Sequence, residues 1–107
     1  MDALTDATLL EPKLLRLFEL LYTTHSVTRA AEQLAQSQPT VSIWLARLRK
    51  QLNDPLFVRT PAGMAPTPRA DALIDTVRSV LEGLRRIADS DNRFDPLSAR
   101  REFRIFM

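Results

Sequence analysis

The sequence predicts a mainly α-helical fold: a winged helix-turn-helix of three helices and a small β-hairpin, then a long dimerisation helix and one terminal strand. Three observations predict it. Residues 26–42 read as a short helix, a tight turn and the start of a second helix. Residues 56–67 change to strand-like content around a Pro-Ala-Gly turn. From Leu73 to Ile87, apolar residues return at spacings of four, three, four and three.

Residues 1–11 have no clear period and are expected to form a loose arm. Pro12 suits a first helical turn, and Leu14, Leu17, Phe18 and Leu21 share one face, which predicts a helix over 12–23. Lys13, Arg16 and Glu19 occupy its other face. A short turn follows, in which the single histidine, His25, reads as a solvated turn residue. Ser26 is a capping residue for a helix over 27–35, whose buried face is Val27, Ala30, Ala31 and Leu34. The paired alanines let a second helix cross closely. That helix, over 38–53, opens at Ser37 with Pro39 in its first turn, where a missing N–H costs nothing. Val41, Leu45, Leu48 and Leu52 form its core side. Its free side carries Pro39, Ser42, Ile43, Ala46 and Lys50, a flat face suited to a surface or a groove.

Asp54-Pro55 marks the exit from this helix. Two short runs, 56–59 and 64–67, then flank a turn containing Gly63, where positive φ is available. The alternative is an irregular loop. Thr67-Pro68 is a helix start, and the helix is expected over 68–88. Leu73, Val77, Val80, Leu84 and Ile87, widened by Ile74, Leu81 and Ala88, make a heptad seam expected to pair with a second copy. The alternative is a helix folded back on its own domain. Residues 89–100 are polar with a proline and read as a hinge, and 101–107 alternate charged and apolar residues as a strand does. A lone strand lacks a partner, so the natural chain is expected to continue or to pair between copies. The domain reading is an arm at 1–11, a winged helix-turn-helix at 12–67, a linker helix at 68–88, a hinge at 89–100 and a strand at 101–107.

Net charge is only +2, but residues 47–59 hold four basic side chains against one acidic. That local excess points to a polyanion more than the total does. Without cysteine there is no disulfide framework or thiolate metal site, and a single histidine excludes two-histidine metal motifs within one chain. No signal pattern or membrane-length apolar run is present, so a soluble, cytoplasmic protein is expected. The chain carries no nucleophile with its base, no metal site and no phosphate loop. No enzyme activity and no cofactor are expected. The 68–88 helix mixes both charge signs on its polar face, unlike a membrane-surface helix.

These residues resemble the N-terminal domain of LysR-type transcriptional regulators. The resemblance is carried by Ser26-Val27-Thr28-Arg29-Ala30-Ala31-Glu32-Gln33-Leu34 and Ser37-Gln38-Pro39-Thr40-Val41-Ser42. It continues through Leu45, Arg47-Leu48, the run 52–59 and Pro66-Thr67. The order and spacing of these pieces is the specific signal. The tail, Phe94-Asp95-Pro96 with Arg101, Phe103 and Ile105, looks like the start of an effector-binding domain in the branch of nodulation and nitroaromatic-sensing regulators. Two positions depart from the family. The turn has Ala35-Gln36 where glycine and an apolar residue are usual, and Ile43 stands where Arg or Asn is frequent.

The resemblance implies a homodimer on inverted-repeat promoter DNA, linker helices paired antiparallel, and a tetramer at full length. It also implies a small-molecule inducer bound by a further C-terminal domain. On this reading the helix over 38–53 enters the major groove. Gln38, Pro39, Ser42 and Ile43 are the expected base contacts, with Gln38 favouring adenine. Ser37, Thr40, Arg47 and Arg59 are the expected phosphate contacts, Arg59 from the wing. Leu73, Val77, Val80, Leu81, Leu84 and Ile87 are the expected dimer interface. Trp44 is expected at the edge of the core, against the first helix or the wing. The rival function is a helical dimerisation or protein-interaction module that does not bind DNA specifically.

Overall fold

The computed structural model describes residues 10–93. Helices α1 (Pro12–Thr24), α2 (Val27–Leu34) and α3 (Gln38–Leu52) precede strands β1 (Phe57–Thr60) and β2 (Gly63–Pro66) and helix α4 (Pro68–Arg93). Local chemistry sets these boundaries. Pro12 opens α1. Ser26 Oγ accepts from Arg29 N at 3.1 Å and caps α2. Ser37 Oγ accepts from Thr40 N at 3.3 Å and caps α3. All three helices end on a left-handed residue that is not glycine: His25, Ala35 and Asn53, with φ of 58°, 56° and 53°. Asn tolerates this region, whereas Ala35 carries a cost of about 1 kcal/mol in closing the turn without glycine.

One core joins all the elements. Leu14, Leu17, Phe18 and Leu21 of α1 are fully buried, as the helical period predicts. Ala30 and Ala31 bring α2 close, and Val41, Leu45 and Leu48 seat α3. Phe57 packs edge-on against Phe18, with ring centres 5.3 Å apart and planes at 69°. That contact ties the wing to α1.

The wing is an antiparallel hairpin with Phe57 opposite Pro66 and Thr60 opposite Gly63, turning at Pro61-Ala62. Gly63 has φ of 118°, and a Cβ there would lie 2.6 Å from the His25 carbonyl oxygen. That approach serves a bond: Met64 N donates to His25 O at 2.8 Å, and His25 Nδ1 donates back to Met64 O at 3.1 Å. His25 is exposed in the turn, as expected, but it is also bonded to the wing. It adds a rung beside β2 and fastens the wing to the α1–α2 turn. The wing base is closed by Asp54, whose Oδ2 accepts from Leu56 N and from Thr67 Oγ1, both at 2.8 Å. Thr67 Oγ1 in turn accepts from Ala70 N at 3.2 Å at the start of α4. The Leu56 N–H, then the Thr67 hydroxyl, hold the Asp54 carboxyl below its ordinary pKa. These bonds, with the fully buried Leu56 side chain, retain Leu56 at its positive φ of 65°. Arg49 faces the same region, donating to Pro55 O and Phe57 O, both at 2.8 Å.

Helix α4 differs from expectation in two ways. It runs to Arg93 rather than ending at Ala88, because neither proline nor glycine intervenes between Ala88 and Arg93. Polarity alone does not stop an exposed helix. The remainder of the predicted hinge, the predicted strand 101–107 and most of the N-terminal arm lie outside the described residues. The second difference is the seam. Helix α4 lies antiparallel to α1 and buries Ala70, Ile74, Val77 and Leu81 in the shared core. Ile74, Val77 and Leu81, expected on the seam with a second copy, are core residues of their own chain. Leu73 packs at the core edge, while Val80, Leu84 and Ile87 are 44%, 38% and 68% exposed. The apolar arc is wide enough to contain both stripes, and spacing alone does not say which one the domain covers.

Polar contacts flank the α1–α4 packing. Glu19, whose side chain is 16% exposed, faces Arg16 at 3.0 Å, Arg85 at 3.4 Å and Arg78 at 3.9 Å. Tyr22 donates its hydroxyl to Asp71 Oδ1 at 2.7 Å, and that bond raises the phenol pKa.

Two predictions follow from this packing. Ala35→Gly should stabilise the chain by roughly 1 kcal/mol, read as a higher midpoint in thermal unfolding, because glycine takes the left-handed cap without a Cβ penalty. The Asp54 contribution should be complete above the ordinary carboxyl value of 3.8 and be lost as pH falls through the lower folded-state value. In denaturant titrations, Asp54→Asn should therefore be less stable than wild type at neutral pH, with the gap narrowing below about pH 4.

Candidate nucleic-acid interface

The exposed side of α3 is built from its N-terminus. Ser37 also donates its hydroxyl to Thr40 Oγ1 at 3.0 Å, so the two expected phosphate contacts form one polar cluster at the cap. Pro39, Ser42 and Ile43 are exposed, Ile43 at 60%. Ala46 and Lys50 continue the exposed face. Gln38 stands at its edge, donating from Nε2 to Thr28 Oγ1 of α2 at 3.0 Å.

Arg47 and Arg49 diverge. Arg49 is committed to the wing-base carbonyls, so it braces the fold. Arg47 is exposed and pairs with Glu11 Oε1 at 3.0 Å, just before α1. Lys13 lies 3.9 Å from the same carboxylate and 4.9 Å from the Trp44 ring centre. Trp44 is half-buried against the core, and Lys13 places that contact on the α1 side.

Opposite this edge, a polar cleft of about 530 Å³ separates the start of α2 and Gln38 from the wing. Thr28, Arg29, Gln38 and Arg59 line it, with the turn residues Pro61 and Ala62. Arg59, on β1, and Gln38 line the same cleft. Arg29 was not among the expected contacts. Its signal in the sequence is its position in the first turn after the Ser26 cap, outside the buried Ala30–Ala31 face. Among the described residues, Arg29, Lys50, Arg59 and Arg69, like the carbonyl-bound Arg49, have no ion-pair partner, unlike Arg16, Arg47, Arg78, Arg85 and Arg86. A helix of this kind fits a major groove ~12 Å wide, and cations on either side of it suit the flanking phosphates.

No group of His, Asp or Glu suited to a metal ion occurs among the described residues. No described helix is long and apolar enough to cross a membrane.

Three helices, a two-stranded wing and a long terminal helix, with the third helix exposed along its front, define the winged helix-turn-helix class. The family described as bacterial regulatory helix-turn-helix protein, lysR family, matches residues 12–71, and the chain belongs to that family. It is 48% identical over 89 residues to the HTH-type transcriptional regulator LinR of Sphingobium indicum, covering 83% of this chain and 29% of LinR. A probable transcriptional regulator from Pseudomonas aeruginosa superposes with a TM-score of 0.72 at 38% identity, covering 76% of this chain and 27% of that one. A CbnR_DBD–DNA complex superposes with a TM-score of 0.70 at 25% identity, covering 78% of this chain and 97% of that one.

The unpaired cations give a direct expectation. Replacing Arg29 or Arg59 with alanine should weaken binding to different duplexes about equally and lower the slope of log affinity against log salt by about one each. An unchanged slope, measured by fluorescence anisotropy, would remove that residue from the phosphate contacts.

Proposed function

We propose that this chain is the sequence-reading, dimerising unit of a transcriptional regulator that binds inverted-repeat promoter DNA. The observation that carries this is the exposed front of α3, with the unpaired Arg29, Lys50 and Arg59 around it. Helix α3 enters the major groove with its N-terminal turns leading. Gln38 reads a base edge, favouring adenine, and Pro39 and Ile43 pack on thymine methyl groups. Ser42 bonds a base or a phosphate. Ser37, Thr40, Arg47 and Arg59 fix the register on phosphates, and Arg29 joins them. Arg47 exchanges Glu11 for a phosphate at small cost, since an exposed ion pair is worth ~0–1 kcal/mol.

The dimer forms through the stripe of α4 that the domain leaves uncovered, Val80, Leu84 and Ile87, with Leu73 at its border. Val77 and Leu81 support that stripe from beneath. Two domains so joined set their recognition helices about one helical turn of DNA apart, ~34 Å. Assembly as a tetramer and control by a small-molecule inducer, which the family resemblance implies, belong on this reading to a further domain joined beyond α4. The same exposed stripe supports the rival reading, a helical interaction module, which predicts self-association without salt-sensitive DNA binding.

The deciding experiment titrates the chain into a labelled inverted-repeat duplex with half-sites one turn apart, and into a scrambled duplex, at several salt concentrations. Preference for the repeat with a steep salt slope is expected. A dimer that binds neither duplex would favour the interaction module. Gln38→Ala should cost ~1–3 kcal/mol on the preferred duplex and little on the scrambled one. Val80→Asp should sediment as a monomer, since a carboxylate in an apolar seam is left without a partner.

A further inference from the structure

We infer that Thr28, on α2, is a specificity-determining positioning residue: its hydroxyl holds the Gln38 amide with its donor–acceptor edge toward the DNA. The inference rests on the DNA-reading role of α3 proposed above.

Gln38 is the first residue of α3, and its amide lies across the gap between helices. Its Nε2 donates to Thr28 Oγ1 at 3.0 Å, a contact between residues ten apart. A glutamine amide has two faces of opposite character, a carbonyl acceptor and a two-hydrogen donor. One N–H is committed to Thr28. The remaining N–H and Oε1 then form a donor–acceptor edge. Adenine presents N7 as acceptor and its amino group as donor, so this edge matches adenine. Guanine presents two acceptors, N7 and O6, so it can take the N–H of this edge but gives nothing to Oε1. Released from Thr28, the amide turns freely about its last torsion and presents this edge only part of the time. Thr28 thus touches the choice between two purines without touching a base.

Both residues are exposed in the free chain, where water competes for the bond. Docking removes that water, and an amide N–H that has lost its partner is then left unsatisfied. The bond therefore contributes most in the complex. Thr28 also lines the cleft that holds Arg29 and Arg59, so a phosphate could approach its hydroxyl directly. A phosphate contact would add affinity for every sequence alike. A positioning role changes the ratio between sequences.

The test enriches duplexes from a random-sequence pool with the wild-type chain, then measures anisotropy affinities for the enriched duplex and its adenine-to-guanine variant at the base that Gln38→Ala shows to be read. Thr28→Val, nearly isosteric and on an exposed helix turn, should cut the adenine-over-guanine preference roughly three- to tenfold. Thr28→Ser, which keeps the hydroxyl, should retain it. Combining Thr28→Val with Gln38→Ala should lose no more preference than Gln38→Ala alone. In the nitrogen–proton spectrum of the free chain, Thr28→Val should shift the Gln38 side-chain amide pair while leaving the backbone pattern of α2 and α3 in place. That reading needs no DNA. Equal loss of affinity on both duplexes, or an unmoved amide pair, would overturn the positioning role and leave the DNA-reading function standing. A pool that yields no enriched sequence, with the amide shift present, would instead overturn the DNA-reading function and, with it, the role of Thr28 in base choice.

Discussion

The close approach of Gly63 to the His25 carbonyl decides the shape of the front of this molecule. Only a residue without a Cβ fits there, and that fit lets the His25–Met64 pair close. Through that pair the wing is held beside the α1–α2 turn. The cleft containing Arg29, Gln38 and Arg59 exists because the wing stands where it does. Phe57 against Phe18 sets the depth of the hairpin, and Asp54 with Thr67 closes its base. A two-stranded hairpin alone is marginal in water. Here it is fastened at its base and at its inner edge.

Charge on the surface is sorted by partner. On the α1–α4 side, arginines gather around Glu19 and Glu82, so the field there is largely cancelled. On the front, Arg29, Lys50 and Arg59 have no such company. The net charge of +2 therefore understates the attraction of one face for a polyanion, and the sign asymmetry between faces orients the chain as it approaches. Arg47 sits between these regimes, paired with Glu11 at an exposed site.

Much of this was legible in the sequence. The buried faces of α1, α2 and α3 follow from apolar spacing, and the caps at Ser26 and Ser37 follow from residue type. Gly63 marked a turn with positive φ. What the sequence did not disclose is set by neighbours far along the chain. His25 is an exposed turn residue as it reads, but its bond to Met64, 39 residues away, has no local signal. Arg49 and Lys50 are adjacent cations, yet one braces the wing and the other faces water, a difference fixed by 100° of helical rotation. The phase of α4 was concealed by its own width. Both Ala70–Ile74–Val77–Leu81 and Val80–Leu84–Ile87 are regular apolar stripes, and small Ala70 was the cue to the inner one. Ala35 was recognisable as a departure, and it takes the left-handed cap with φ of 56°.

The length of α4 has a mechanical consequence. A continuous helix of 26 residues is roughly 39 Å long at ~1.5 Å per residue. Its first half is gripped by the core, through Ala70, Ile74, Val77 and Leu81, and clamped at its sides by Tyr22 and Glu19. A rod held in this way has little freedom to pivot at its root. Whatever is attached past Arg93 thus has leverage over the whole domain: a tilt applied at the free end is delivered to α3 as a rotation of the same angle, with no soft joint among the described residues to absorb it.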